Sequence, residues 1–103
     1  MQELAKVFKA LSDTNRLKIF ISLSRKTLCV NALGNYLTIS QPAVSQHLKI
    51  LREAGLVNSK KRGYWMHYSA NKEKVDQFIK EFNDLLEGEK YVQKNRKRRM
   101  QTP

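Results

Sequence analysis

The sequence lacks several features that enzymes and secreted proteins share. It contains a single cysteine, Cys29, which excludes an intrachain disulfide framework and agrees with a reducing compartment. Its four glycines form no phosphate-binding loop, and no nucleophile stands beside a general base in a catalytic motif. No apolar run approaches the roughly 20 residues of a membrane helix, and the N-terminus has no signal-peptide core. We therefore expect a cytoplasmic protein without a membrane anchor, catalytic activity or cofactor.

Acidic residues are also few. Only 9 Asp and Glu residues accompany 20 Lys and Arg residues, so the formal net charge is +11 over 103 residues. A small protein this basic is attracted to polyanions, and nucleic acid is favoured over a membrane because no basic helix with an aromatic face is present. The length predicts one domain, and the hydrophobic content of 41% supports a packed core that a partner subunit would extend.

The segment 37–57 carries the clearest local signals for a helix. Ser40 can cap the amino end with its hydroxyl, and Pro42 falls in the first turn, where a missing N–H costs little. Gly55 can close the carboxyl end in a left-handed conformation. Both ends of this helix are therefore predicted from the sequence.

The two sides of this helix differ in polarity. Val44, Leu48 and Leu51 form an apolar stripe, and the opposite side is polar. Glutamine can bond adenine through two atoms and lysine can reach guanine acceptors, so the polar side is a candidate for base recognition; an ordinary solvated surface is the alternative. The predicted DNA contacts are Gln41, Ser45, Gln46 and Lys49, with Arg52 and His47 as further candidates. For His47, half-buried packing is favoured over DNA contact.

Three amphipathic helices are predicted before this segment. The first spans residues 2–11, and Ser12 or Asp13 caps the second. Core packing is expected for the apolar residues of the first helix, Leu4, Val7, Phe8 and Leu11. The same is expected for those of the second helix, Leu17, Phe20, Ile21 and Leu23, with Arg16 and Lys18 outward. The third helix runs from near Cys29 to about Leu37, with Val30, Leu33 and Leu37 inward.

A basic hairpin is predicted over residues 58–69. Gly63 marks a turn, and the residues after it alternate in character as in a strand. Lys60, Lys61 and Arg62 are predicted at its tip. Beside a recognition helix, such a tip can contact phosphates or enter the adjacent minor groove, whereas an edge hairpin protected by charge is the alternative.

A last helix and a basic tail complete the chain. From Asn71 onward, the helix has more apolar residues than one small core requires: Val75, Phe78, Ile79, Phe82, Leu85 and Leu86. The segment Lys94–Arg99 has five cations in six residues. We therefore predict one domain over residues 1–93 and a tail over 94–103 that is disordered when free, adding non-specific DNA affinity or serving only solubility.

Three strings in this order resemble the ArsR/SmtB family of winged-helix repressors. They are FKALSDTNRLKI from Phe8, SQPAVSQHLKILREAGLV from Ser40 and GYWMHYS from Gly63, and the resemblance runs over roughly residues 4–92. It implies a mainly α fold with a β-hairpin wing, a winged helix-turn-helix. It also implies a homodimer through the N-terminal and C-terminal helices. Such a dimer would place two recognition helices about 34 Å apart and favour an inverted-repeat operator in double-stranded DNA.

The resemblance also draws attention to positions where this chain departs from the family. Thr38 stands in a turn where the family often has glycine, and because a β-branched residue is costly at positive φ, we expect the turn to differ. Arsenic sensors of the family carry Cys-Val-Cys where this chain has Cys29, Val30 and Asn31. Zinc and nickel sensors use Asp and His pairs on the last helix, but residues 71–92 contain no histidine.

We therefore predict no tight metal site. Cys29 is then either a small apolar filler, the favoured interpretation, or a reactive thiol at a helix start that senses oxidants. The sequence predicts a repressor that binds a specific operator as a homodimer. An architectural DNA-binding protein without sequence preference, a repressor that senses oxidants through Cys29, and a protein-interaction module stay open as alternatives.

Overall fold

A computed structural model describes residues 1–88 of the chain. Its elements are α1 Gln2–Leu11, α2 Thr14–Arg25, α3 Val30–Leu37, α4 Gln41–Glu53, β1 Val57–Arg62, β2 Trp65–Ala70 and α5 Lys72–Glu87. The predicted mainly α fold with a hairpin wing is confirmed. The predicted tail, residues 94–103, lies outside the described residues, as does the predicted end of the domain at residue 93. Within residues 1–88, no helix has the length and apolar character that crossing a membrane requires.

The corner between α1 and α2 uses Ser12 and Asp13 for different ends. The Ser12 hydroxyl donates to the Lys9 carbonyl at 2.7 Å and so closes α1. The Asp13 carboxylate accepts from the backbone N–H of Arg16 at 3.0 Å, which satisfies one of the free donors at the start of α2. Of the two predicted capping residues, Asp13 is therefore the one that begins α2.

The predicted inner stripe of α2 is wrong in part. Ile19 and Leu23 are buried, whereas Leu17 and Ile21 are 42% and 43% exposed. At 100° per residue, Ile19 lies about 200° from both Leu17 and Ile21, so α2 has apolar residues on two sides. The side with Ile19 and Leu23 enters the core, where α2 contacts α4, β2 and α1. The helical spacing alone could not decide which apolar side would be covered.

The core is built around the inner face of α4, as predicted. Val44, Leu48 and Leu51 are at most 1% exposed, and Leu33 of α3 is fully buried against them. The Ser40 hydroxyl accepts from the Ala43 N–H at 3.2 Å, which confirms the predicted cap. Burial of aliphatic side chains of this size stabilises a fold by roughly 1.5–3 kcal/mol each. This packing fixes α4 to the rest of the domain.

The carboxyl end of α4 closes as predicted at Gly55. Its φ is 77°, a conformation that glycine adopts without steric cost. The Gly55 N–H donates to the Arg52 carbonyl at 2.9 Å, and the Leu56 N–H donates to the Leu51 carbonyl at 3.0 Å. This is the hydrogen-bond pattern of a Schellman motif, with Leu56 buried behind it.

The turn between α3 and α4 takes positive φ at a threonine. Thr38 has φ 57° and ψ 46°, and it ends α3 in the left-handed conformation. Thr38 adopts this conformation although it is costly for a β-branched residue. Gly34 explains the tightness of the turn, because a Cβ there would lie 3.1 Å from the Ile39 carbonyl oxygen. The close approach of α3 and α4 holds Thr38 in a conformation that costs about 1–2 kcal/mol.

The wing is an antiparallel hairpin with a two-residue turn, Gly63 and Tyr64. Gly63 has φ 62°, as the first residue of a type II′ turn requires. At its other end, β2 forms two backbone hydrogen bonds with the loop before α3, between Leu28 and Tyr68, at 3.1 and 2.8 Å. The wing is therefore tied directly to the segment that leads into α3.

Helix α5 begins at the predicted Asn71 and packs on α1 through aromatic rings. The Asn71 side chain accepts from the Lys74 N–H at 3.2 Å. The Phe8 ring lies 4.8 Å from that of Phe78 and 5.0 Å from that of Phe82, edge to face. None of the residues of α5 is fully buried, and Phe8, Ile79 and Phe82 are 43%, 48% and 38% exposed. We call these three residues the apolar patch; the expectation that Phe8 is a core residue is wrong in part.

Candidate nucleic-acid interface

The outer face of α4 is polar and fully accessible. Its residues are all exposed, and they are Gln41, Ser45, Gln46, Lys49 and Arg52. Because the opposite face is buried in the core, these side chains can contact a ligand without any rearrangement of the helix. An α-helix with such a face fits the width of the DNA major groove.

The wing cations lie along β1 and not only at its tip. Lys60 pairs with His67, Lys61 with Met66, and only Arg62 adjoins the turn. Since strand residues alternate between faces, Lys60 and Arg62 share one face of the hairpin and Lys61 lies on the other. The prediction that all three cations occupy the tip is therefore wrong in part. All three are exposed, so two sides of the wing are basic.

The wing and the amino end of α4 border a common cleft. This cleft has a volume of about 370 Å³ and is lined by Cys29, Asn31 and Gln41 on one side and by Trp65 and Met66 on the other. Cys29, the half-buried residue before α3, therefore lies beside the outer face of α4. The structure therefore brings Gln41, the first of the predicted base contacts, to the same cleft as two residues of the wing.

His47 lies between two charged groups of the α1–α2 corner. Its side chain is 18% exposed, and its Nε2 is 4.0 Å from Asp13 Oδ2. Its Nδ1 is 3.5 Å from a guanidinium nitrogen of Arg16. This position agrees with the favoured packing role for His47, because both ring nitrogens face residues of the domain itself.

Arg16 has a role that the sequence did not reveal. It was expected to point outward, but its Nε donates to the Ala10 carbonyl at 2.7 Å and the guanidinium reaches His47 on α4. It therefore links the end of α1, the start of α2 and the back of α4. The Arg16 backbone N–H also lowers the pKa of Asp13; desolvation opposes this shift, and the charges of His47 and Arg16 reinforce it.

A side-chain hydrogen bond also joins α3 to the first residue of α4. The Nε2 amide of Gln41 donates to Asn31 Oδ1 at 3.0 Å. The two residues are ten positions apart, and their approach depends on how α3 packs against α4. Neither the helical period nor a turn signal could have predicted this contact.

Comparisons with known proteins agree with this geometry. Residues 13–59 match the profile of the family described as bacterial regulatory protein, arsR family. An uncharacterised HTH-type transcriptional regulator of Methanocaldococcus jannaschii is 35% identical over 85 residues, which cover 82% of this chain and 96% of that protein. The chain belongs to the arsR family. Its relatives include DNA-binding transcriptional repressors, and the family resemblance in the sequence is thereby confirmed.

Two further comparisons define the extent of the match. The arsenical resistance operon repressor of Escherichia coli is 48% identical over 63 residues, which cover 60% of this chain and 54% of that protein. The chain thus spans about half the length of that relative. An ArsR-like transcriptional regulator from a Rhodococcus species superposes with a TM-score of 0.77 at 33% identity, covering 82% of this chain and 79% of that one. The winged helix-turn-helix fold is shared over most of the domain.

The residues at the start of α3 do not fit the thiolate sites that soft metals and metalloids require. Cys29 supplies one thiol, and Asn31, at the position of the second family cysteine, accepts a hydrogen bond from Gln41. In residues 1–88, no three His, Cys, Asp or Glu side chains come together to form a metal-binding group. The fold of the family is present here with a different set of side chains at this position.

Proposed function

We propose that this chain represses transcription by binding an operator with the outer face of α4 in the major groove and the wing against the neighbouring backbone. One observation carries the proposal. The outer face of α4 is exposed and polar along its length, while the inner face is anchored in the core, and the basic wing borders its amino end. This is the arrangement by which helix-turn-helix proteins position a helix in the groove.

The two parts of this surface would make different kinds of contact. Gln41, Ser45, Gln46 and Lys49 carry the amide, hydroxyl and ammonium groups that bond base edges. Lys60, Lys61 and Arg62 would contact phosphates or the minor groove, and these contacts are independent of sequence. The net charge of +11 would add attraction that falls as the salt concentration rises. Arg52 would act as a further phosphate contact at the far end of α4.

We further propose that two copies associate through α1 and α5. The apolar patch is exposed in the single chain, and a second copy of the same surface would cover it in an isologous interface. The two α4 helices would then lie about 34 Å apart and bind an inverted repeat. The complex would act in the cytoplasm, where the operator DNA is found, and repression would not require catalysis.

A competition titration tests sequence specificity. The fluorescence anisotropy of a labelled duplex from the DNA upstream of the chain's own gene is followed as protein is added, in the presence of excess random duplex. We expect binding to the upstream duplex to survive the competitor. An architectural protein would instead lose the labelled duplex in proportion to the competitor added, since its contacts would be to phosphates alone.

We propose that the repressor has no tight metal site, because its single thiol lacks partners. A stoichiometric zinc content in the purified protein would overturn this. Sensing through Cys29 is the second candidate, and it is favoured by the position of Cys29 in the cleft beside Gln41. A thiol oxidant would then release wild-type protein from the upstream duplex but leave the Cys29→Ser variant bound, whereas equal behaviour of the two proteins would exclude it.

A further inference from the structure

We propose that Asn31 is a specificity-determining positioning residue that fixes the amide of Gln41 in the orientation suited to adenine. The proposal rests on the proposed function, since it assigns a cause to part of the sequence preference. The observation behind it is the hydrogen bond that Gln41 Nε2 donates to Asn31 Oδ1 at 3.0 Å. This bond joins the start of α4 to the start of α3.

The position of Gln41 makes its orientation important for DNA contact. It is the first residue of α4, the end that recognition helices direct towards the base edges. A glutamine side chain has three rotatable bonds and loses much rotamer freedom when it binds. Asn31 is exposed but lies on α3, which the fully buried Leu33 anchors, so the backbone that carries the acceptor is fixed. Holding Gln41 in advance reduces the entropy lost on binding.

The hydrogen-bond chemistry leaves the amide of Gln41 free for adenine. Its Nε2 has two N–H groups, of which one donates to Asn31. The second N–H can donate to adenine N7 while Oε1 accepts from adenine N6, the two-atom contact that distinguishes this base. While Asn31 accepts in this bond, the nitrogen of the Gln41 amide is the end that faces Asn31. A side chain without an acceptor would let the amide rotate.

The role of the acceptor allows two substitutions of Asn31 to be compared. Asn31→Asp keeps an oxygen that accepts from Gln41 Nε2, whereas Asn31→Ala removes it. If Asn31 instead contacts DNA directly through its own N–H groups, both substitutions remove that contact, and the aspartate also repels the phosphates. Asn35 lies one turn further along the same face of α3 and is also exposed, so Asn35→Ala is the matched control.

In the experiment, each protein selects the duplexes that it binds from a random-sequence pool. The wild type is compared with five variants: Asn31→Ala, Asn31→Asp, Gln41→Ala, Asn35→Ala and the Asn31→Ala/Gln41→Ala double variant. Fluorescence anisotropy then measures the affinity of each protein for the selected duplex and for duplexes in which one position carries each of the other bases. We expect Gln41→Ala to lose adenine preference at one position of each half-site by about 5-fold or more. Asn31→Ala should lower the preference for adenine at that same position by about 2- to 12-fold. The double variant should show no greater loss of this preference than Gln41→Ala alone.

Asn31→Asp should keep the adenine preference although its overall affinity falls, and Asn35→Ala should match the wild type. Thermal unfolding of each variant checks that the fold is intact. Effects of Asn31→Ala that multiply with those of Gln41→Ala, or an equal loss of adenine preference in Asn31→Asp, would overturn the proposal. These outcomes require that the wild type select a sequence; if it selects none, the proposed function itself fails.

Discussion

The outer face of α4 and the apolar patch on α1 and α5 are both exposed, but they differ in polarity and in how many buried side chains lie behind them. Behind the outer face of α4 lie Val44, Leu48 and Leu51, which are almost completely buried. Helix α5 has no fully buried residue, and what it presents to solvent includes Ile79 and Phe82. Helix α4 is anchored by buried side chains and offers polar groups, whereas α5 packs on α1 and leaves apolar groups uncovered.

Under the proposed function, this difference suits each surface to a different partner. Exposed amides and ammonium groups on a fixed helix keep their hydration until a polar ligand replaces it, as the grooves of DNA can. Transfer of exposed phenylalanine and isoleucine side chains from water to a second apolar surface is favourable in free energy. A domain with both surfaces is suited to bind DNA as a pair of copies.

The largest expected effect concerns the anchoring of α4. Leu51→Ala removes a fully buried side chain and should lower the free energy of unfolding by about 2–5 kcal/mol, because it leaves a cavity behind the helix. Lys49→Ala, on the outer face, should change it by no more than about 0.5 kcal/mol. Urea denaturation of both variants measures the contrast. Equal decreases in the free energy of unfolding would mean that the two faces of α4 contribute equally to stability.

A charge in the apolar patch should separate the two copies. Ile79→Glu would bury a carboxylate in the proposed interface, and we expect the dimer to weaken by about 10-fold or more. Sedimentation velocity over a range of concentrations measures the shift to monomer. Gln77→Glu puts the same charge on an exposed position of α5 and serves as the control. Unchanged sedimentation of Ile79→Glu would remove the patch from the interface.

Smaller effects should distinguish base contacts from phosphate contacts. Lys49→Ala should reduce the free-energy difference between specific and non-specific binding by roughly 1–3 kcal/mol, through the base pair that Lys49 contacts. Arg62→Ala should weaken all sequences alike and reduce the slope of log affinity against log salt by about 0.9. Anisotropy titrations at several salt concentrations measure both quantities. A uniform loss from Lys49→Ala would show that Lys49 does not contact a base.

The smallest effect should come from the corner behind α4. The pKa of Asp13 lies below its ordinary value of 3.8, so its charge stabilises the folded state above that pH, and this stabilisation is lost as the pH falls through the lowered pKa. Asp13→Asn can still accept the Arg16 N–H but carries no charge. Its melting temperature should therefore be lower than that of the wild type at neutral pH, and the difference should shrink as the pH falls below 3.8 and through the lowered pKa of Asp13.

Asp13→Ala removes the capping acceptor as well as the charge, so it should stay less stable than Asp13→Asn at every pH. Melting curves followed by circular dichroism between neutral and acidic pH compare the three proteins. A difference between wild type and Asp13→Asn that does not change with pH would assign the effect to packing and not to charge.

The elements that sequence alone predicted well are those whose signals are local. Ser40 and Gly55 gave the ends of α4 because capping depends on residues a few positions away. The stripe of Val44, Leu48 and Leu51 predicted its buried face because three large apolar residues share that side and Ile50 alone lies away from it. In α2, two sides are apolar, and whether Ile19 or Ile21 is covered depends on how α4 and β2 pack against it.

What the sequence did not predict depends on contacts between distant residues. Arg16 was expected to face solvent, yet its guanidinium donates to the Ala10 and Lys9 carbonyls of α1 and approaches the ring of His47. The bond between Asn31 and Gln41 requires two helix ends to meet. In the candidate site, the accessible residues could be predicted from helical spacing, but the contacts that orient them required the tertiary structure.

The most direct test of the account changes the spacing of the operator. Five base pairs inserted between the two half-sites of a selected operator rotate one half-site by about half a turn relative to the other. If α4 binds the major groove and the apolar patch joins two copies, anisotropy should show a large loss of affinity for the altered duplex, approaching that of a single half-site. Equal affinity for both duplexes would contradict the account, because it would mean that the copies bind independently of each other.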